Sequence, residues 1–233
     1  MRLYYSEGGG MGSIKWKGLV FLVLLSGCLS ALSERVTYAY ILPAEQIIQF
    51  MAVNFSKTQT LIVHQYGEET TEEKGSRGFD EILTMKSPDL FHSRIKEFNE
   101  TKGRERDYSY RQFFLANSAS RLMALLLEMG IDVQKVSYTR VDGVVAYRIG
   151  KTDQGSPKVL VEKGRFLPLL LSYKAPGLGG ALAKAKFVDY RKVEQAWYPF
   201  EIFCSTADGT TEKYTVRSLK INGPVSSSLF GSK

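Results

Sequence analysis

The sequence predicts a mainly β chain (α+β): a single antiparallel, half-open β-barrel of about eleven strands with helices forming a lid over one side. Three observations predict it. From residue 59 onward apolar positions recur mostly at every second residue, in short runs separated by turn signals. Two Asp-Gly pairs, Asp142-Gly143 and Asp208-Gly209, stand between such runs, where Asp-Gly readily takes the positive φ angles of a hairpin turn. Only two segments of the mature chain carry a helical period, and no long linker and no repeat of roughly 20–50 residues divides it.

The chain begins with an address. Lys15 and Lys17 precede an apolar run from Leu19 to Leu25, and the small residues Ser26, Gly27, Ser30 and Ala31 follow, which is the order of a secretory signal. The run is shorter than the about 20 apolar residues that cross a bilayer. The polar, Gly-rich stretch before Met11 makes Met11 the expected start. Residues 1–33 are read as the signal region and 34–233 as the mature domain. Two exits are legible. Leu25-Ser26-Gly27-Cys28 has the form of a bacterial lipobox, in which Cys28 becomes the lipidated first residue; Ala31-Leu32-Ser33 offers a general cleavage that starts a soluble product at Glu34. Under either, the protein is exported to the bacterial periplasm, anchored to a membrane through Cys28 in the first case.

Pro43 to Val53 reads as an amphipathic helix with proline in its first turn and Ile47, Ile48, Met51 and Phe55 on one face. Strands follow at Gln59–Tyr66 and Phe79–Lys86, joined by the acidic loop Glu68–Glu73, read as a solvated hairpin connection. Ser87-Pro88-Asp89 turns the chain into Leu90–Phe98, and a further strand is predicted at Tyr108–Leu115. The second helix is capped by Asn117 or Ser118, runs over Ala119–Met129 and stops at Gly130. Leu122, Met123, Leu125, Leu126, Leu127 and Met129 make it apolar over more than half its circumference, beyond what one-sided packing needs. The remaining strands are predicted at Ser137–Val141, Val144–Ile149, Lys158–Glu162, Phe166–Lys174, Lys184–Arg191, Trp197–Ser205 and Glu212–Ile221. Such a meander closes on itself only in part.

Composition narrows the chemistry. Two histidines and two cysteines in 233 residues leave little with which to build a transition-metal or haem site, and no cofactor is expected. The formal charge of +7 falls to +5 beyond residue 27 and is spread without a basic block, so it reads as solubility and not as a nucleic-acid footprint. No nucleophile elbow, zinc-binding helix or phosphate loop is present, and Gly177-Leu178-Gly179-Gly180 reads as a connection between strands. His64 and His92 read as outward or satisfied residues, and Cys204 as a buried free thiol. No carboxylate stands in an apolar context that argues for a raised pKa; Glu201 comes nearest, and alternation places it on the solvent face. The sequons at Asn54 and Asn99 matter only in a eukaryotic secretory pathway. The predicted activity is therefore binding, not catalysis.

The aromatic and Leu/Met content can fill a core or line a cavity. A barrel of more than about eight strands tends to enclose space its own side chains do not fill, and a Leu/Met-rich helix over that opening makes a yielding lid. Leu122, Met123, Leu126 and Met129 are the candidate lid contacts, with Phe113, Leu169 and Leu171 as candidate wall positions, for acyl chains.

Met85-Lys86-Ser87-Pro88-Asp89-Leu90-Phe91 resembles the Val-Lys-Arg-Pro-Asn-x-Phe signature of the outer-membrane lipoprotein-sorting proteins LolA and LolB. Phe187-Val188-Asp189-Tyr190-Arg191, Trp197 to Ile202, and Ile221-Asn222-Gly223-Pro224-Val225 with Leu229-Phe230 look like the late segments of that family, so the resemblance spans roughly residues 43–230. It implies an unclosed eleven-stranded barrel with a helical lid, whose apolar interior receives lipoprotein acyl chains or other lipid and hands them to envelope transport partners. Within the family the lipobox matches the anchored receptor, whereas the Lys-x-Pro signature matches the soluble carrier. Sensor and interaction modules also use the fold.

Overall fold

The computed structural model describes residues 40–73, 75–97 and 106–230. The expected export segment, with Met11 and Cys28, lies outside the described residues, and so does Asn99. Ile41–Lys233 clusters as one compact unit.

Ten strands form one sheet: β1 (Thr60–Thr71), β2 (Gly75–Lys86), β3 (Leu90–Glu97), β4 (Val136–Val141), β5 (Val144–Gly150), β6 (Lys158–Glu162), β7 (Pro168–Lys174), β8 (Leu182–Val193), β9 (Ala196–Thr206) and β10 (Thr211–Ile221). Their order is β3-β2-β1-β10-β9-β8-β7-β6-β5-β4, and every neighbouring pair is antiparallel. Eight of the nine neighbouring pairs are consecutive in the chain, the exception being β1 with β10, and β3 and β4 end the sheet on opposite sides. The chain between β3 and β4 must thus travel from one margin of the sheet to the other.

Helix α1 (Ala44–Val53) precedes the sheet and buries Ala44, Ile47, Ile48, Met51 and Ala52, the face its periodicity marks. Helix α2 (Ala119–Glu128) lies in the β3-to-β4 crossing. Ser118 Oγ accepts from the Arg121 amide at 3.2 Å, and Gly130, at φ +80°, reverses the chain so that the Ile131 amide bonds the Leu126 carbonyl at 3.0 Å. Both ends follow from the residue types there: a serine that satisfies an orphan amide, and a glycine that tolerates the left-handed turn. Leu122, Leu125 and Leu126 face the core, but Leu127 is 54% exposed, so the helix packs on one side.

Two sequence expectations need correction. Tyr108–Leu115 is no strand: Ser109–Leu115 is a 3-10 helix, which lowers the strand count from eleven to ten. Asp107 starts it by accepting from the Ser109 amide at 3.1 Å and the Ser109 hydroxyl at 2.9 Å. Residues of both parities, Tyr110, Arg111, Phe113 and Phe114, then enter the core, which an alternating strand cannot do. The acidic stretch is also less of a loop than expected. β1 continues through Glu68–Thr71, with Glu69 buried on the inner face. There Gly67 opposes Phe79, and a Cβ on Gly67 would lie 2.1 Å from that ring, so the close approach requires glycine. At the β4–β5 hairpin, Asp142 (φ +48°) and Gly143 (φ +83°) form the expected two-residue turn.

Alternate residues of the sheet, α1, α2 and the 3-10 helix share one hydrophobic cluster, which defines the inner face. Asn54, just past α1, donates from Nδ2 to the carbonyls of Arg165 (2.8 Å) and Phe166 (3.2 Å), tying the helix to the β6–β7 loop.

Candidate functional site on the inner face of the sheet

Six of the seven candidate lid and wall residues converge in the inner cluster. Phe113, Leu122, Leu126, Met129 and Leu171 are buried there, and Met123 packs against it half-buried. Leu169 is half-buried beside the register shift between β6 and β7 and does not join the cluster. Phe113 comes from the 3-10 helix and not from a strand wall. Aromatic rings fill the space between these side chains: Phe114 meets Phe55 (5.5 Å), Phe187 (5.4 Å) and Tyr198 (4.9 Å). A cavity of about 30 Å³ lies near Arg106, Asp107, Tyr110, Tyr173, Cys204 and Glu212, and none of the seven candidates lines it. Such a volume holds one or two waters.

Through this interior runs a polar relay that sequence reading missed. Arg111 is fully buried. Its Nε donates to the Tyr110 hydroxyl (3.0 Å), and its Nη1 donates to the Tyr198 hydroxyl (2.8 Å) and to Gln65 Oε1 (3.1 Å). Gln65 Nε2 passes the contact on to Glu81 Oε2, and Glu81 Oε1 accepts from the hydroxyls of Ser93 and Tyr108, each at 2.5 Å. Arg111 Nη2 makes no hydrogen bond. The guanidinium also stands 4.8 Å from the Tyr214 ring centre. The 3-10 helix is thereby fastened to β1, β2 and β9 at once.

A second charged group lies alongside. Arg106 pairs with Glu69 at 3.1 Å and Glu212 at 3.5 Å, stacks 4.0 Å over the Phe79 ring, and shares Glu69 with Arg77. Burial favours the neutral carboxyl of Glu212 and raises its pKa, although the Tyr214 hydroxyl and Arg106 oppose the rise. Burial alone would lower the pKa of Arg111, but Tyr110, Tyr198, Glu81 and Tyr214 raise it well above the ordinary value, so it stays charged. Burial, assisted by Glu81, likewise holds the Tyr108 phenol protonated.

The signal for part of this relay was present. Glu81 shares parity with Phe79, Leu83 and Met85 and is 1% exposed among them, so the alternation of its own strand marks it as an inward carboxylate; the carboxylate with a raised pKa, against expectation, is Glu212. Arg111 gave no comparable signal, because its partners lie 46 and 87 positions away. His64 and His92 are exposed, and Glu201 pairs with Lys213 at 3.7 Å on the outer face. Cys204 is a free, half-buried thiol whose pKa burial pushes up to about 12. Among the described residues no three His, Cys, Asp or Glu side chains are grouped to hold a metal, and no helix is long and apolar enough to cross a membrane.

No protein-family model matches the chain, and no curated protein sequence matches it. Solved structures do. A LolA superfamily protein from Nitrosomonas europaea superposes with a TM-score of 0.50 at 9% identity, covering 82% of this chain and 99% of that one. An outer membrane lipoprotein-sorting protein domain from Vibrio parahaemolyticus aligns with a TM-score of 0.49 at 12% identity over 80% of this chain and 95% of that one. At such identities the likeness is one of fold: the open antiparallel sheet with helices on its inner face is LolA-like.

Proposed function

We propose that this chain is an exported bacterial envelope protein that takes lipid, or the acyl chains of lipoproteins, onto the inner face of its sheet and passes them on without chemistry. The observation that carries the reading is the seat of α2. Leu122, Leu125 and Leu126 form its buried side, with Met129 buried just past its end and Met123 at its half-buried margin, over a sheet left unclosed. Methionine and leucine repack around guests of varied shape, and each methylene taken in contributes about 0.8 kcal/mol. The LolA-like fold and the resemblance of Met85–Phe91 to lipoprotein-sorting proteins support the same reading. With the inner face filled by its own side chains, uptake requires α2 and the Ser109–Leu115 turn to part from the sheet.

Native mass spectrometry of the exported protein, with mass analysis of its N-terminus, tests this. Lipid is expected to copurify and to be lost in Met123→Lys, a half-buried position, in variant protein whose circular dichroism matches the parent. A lipidated Cys28 would mark an anchored acceptor; an N-terminus at Glu34 would mark a soluble carrier. Unchanged lipid occupancy in the variant sinks the inner-face assignment. The relay fastening the 3-10 helix across β1, β2 and β9 favours a second reading, an envelope sensor or interaction module that keeps this interior shut. That protein would bind an envelope partner and carry no lipid.

A further inference from the structure

The lysines that look scattered along the sequence gather on the outer face. Cross-strand partners share a face, and direct pairing sets Arg148 (β5) opposite Leu160 (β6), Leu160 opposite Leu170 (β7), Leu170 opposite Lys186 (β8), Lys186 opposite Phe203 (β9) and Phe203 opposite Lys213 (β10). In the adjoining row Lys158 opposes Ser172, and Ser172 opposes Lys184. A groove of about 460 Å³ follows the β7–β10 part of these rows, lined by Lys184, Lys186 and Lys213, by Leu170 and Phe203, and at one end by Glu68 and Glu212.

Ser172 lies beneath the lysines of the second row. It is 1% exposed between two lysines, and its hydroxyl has no hydrogen-bond partner. The charge around it is crowded: burial and the nearby Arg148 lower the Lys158 pKa, as Lys184 does, against the pull of Asp153. Two of the cations have carboxylate partners, Lys186 with Asp142 at 2.7 Å and Lys213 with Glu201 at 3.7 Å. Lys184 is exposed and forms no ion pair among the described residues.

We propose that this outer face docks on an anionic phospholipid bilayer, with headgroup phosphates held by Lys184, Lys186 and Lys213. The row alternates cations with Leu160, Leu170 and Phe203, and Phe203 is 38% exposed. Strands stand about 4.8 Å apart, so six of them present a strip roughly 24 Å wide in which charge and apolar surface are interleaved. A bilayer interface offers both complements side by side, phosphates above and acyl chains below. A nucleic-acid backbone uses only the cations.

The inference goes beyond lipid carriage on the inner face and does not depend on it. Its test uses the full chain with Cys28→Ser, so that no acyl anchor contributes, cosedimented with vesicles of phosphatidylcholine alone or mixed equally with phosphatidylglycerol. Binding to the anionic vesicles is expected, falling with added salt. A lysine near an anionic surface is worth about a fivefold gain in partition, so Lys184→Gln with Lys186→Gln should weaken binding about 25-fold. Lys57→Gln, away from this face, should change nothing. Equal partition into neutral vesicles, or full anionic binding by the double variant, overturns the proposal. So does competition by inorganic phosphate beyond that of chloride at equal ionic strength, which would identify a free-phosphate site. Met123→Lys, which tests the inner face, should leave vesicle binding intact, so the two readings fail separately.

Discussion

Gln65 and Glu81 are direct cross-strand partners on β1 and β2, and the Gln65 amide donates to the Glu81 carboxylate at 2.6 Å inside the hydrophobic cluster. The other end of the same carboxamide accepts from Arg111. A neutral side chain thus links a buried cation to a buried anion that never meet.

If that linkage joins the two charges, removing one strands the other. Arg111→Met and Glu81→Leu should each cost about 3–5 kcal/mol, the range for breaking one side of a buried pair. Combined, they should cost less than their sum by about 0.5–3 kcal/mol. Urea unfolding of the four proteins measures this, and strict additivity would mean that the charges do not sense each other.

The buried phenols set an alkaline limit. Tyr108, Tyr110, Tyr173, Tyr198 and Tyr214 all have pKa values raised by burial. In the unfolded chain they titrate near pH 10, so above about pH 9–10 the unfolded state holds fewer protons than the folded one and stability falls as pH rises. The contribution is complete below that range. Melting temperature should hold steady up to about pH 9 and drop steeply beyond it, as stability falls by up to about 1.4 kcal/mol per pH unit for each phenol. A flat profile to about pH 11 would contradict the burial of these hydroxyls.

Leu126 and Leu127 are adjacent and should behave oppositely. Leu126 is buried and Leu127 is 54% exposed. Leu126→Ala should cost about 2–5 kcal/mol, whereas Leu127→Ala should stay within about 0.5 kcal/mol. Comparable losses would mean that α2 is packed all round.

Cys204 should resist thiol reagents. With its pKa near 12, the thiolate fraction at about pH 8 is on the order of one in ten thousand, against roughly a quarter for an ordinary cysteine. Alkylation read at the Cys204 peptide should be more than about 100-fold slower in the folded protein than in urea. Equal rates would place the thiol in solvent.

The strands were legible wherever one face is apolar and the other polar, as in Leu61 and Val63 of β1 or Ala185 and Phe187 of β8. Ser109–Leu115 was not, because its aromatic residues suit a strand by composition, while the contacts that wind it belong to Gln65 and Tyr198 far along the chain. The same reason separates the two halves of the relay: Glu81 can be read inward from the parity of its own strand, whereas a buried arginine is intelligible only once its acceptors are in place. The outer-face lysines were visible as residues, but charge counted along a sequence does not reveal that β7 and β8 bring Lys158, Ser172 and Lys184 into line.

The sheet ends at β3 and β4 instead of joining them, and among the described residues no further strand pairs with either. A strand margin of that kind can template the addition of another copy, and so start a fibre. Here β3 places exposed His92, Arg94 and Lys96 at every second position, and β4 is only six residues long and carries exposed Arg140. Like charges brought side by side repel, so a second copy adding in register would set cation against cation. Solubility in this fold is therefore guarded by charge at the margins, where a closed barrel would guard it by geometry.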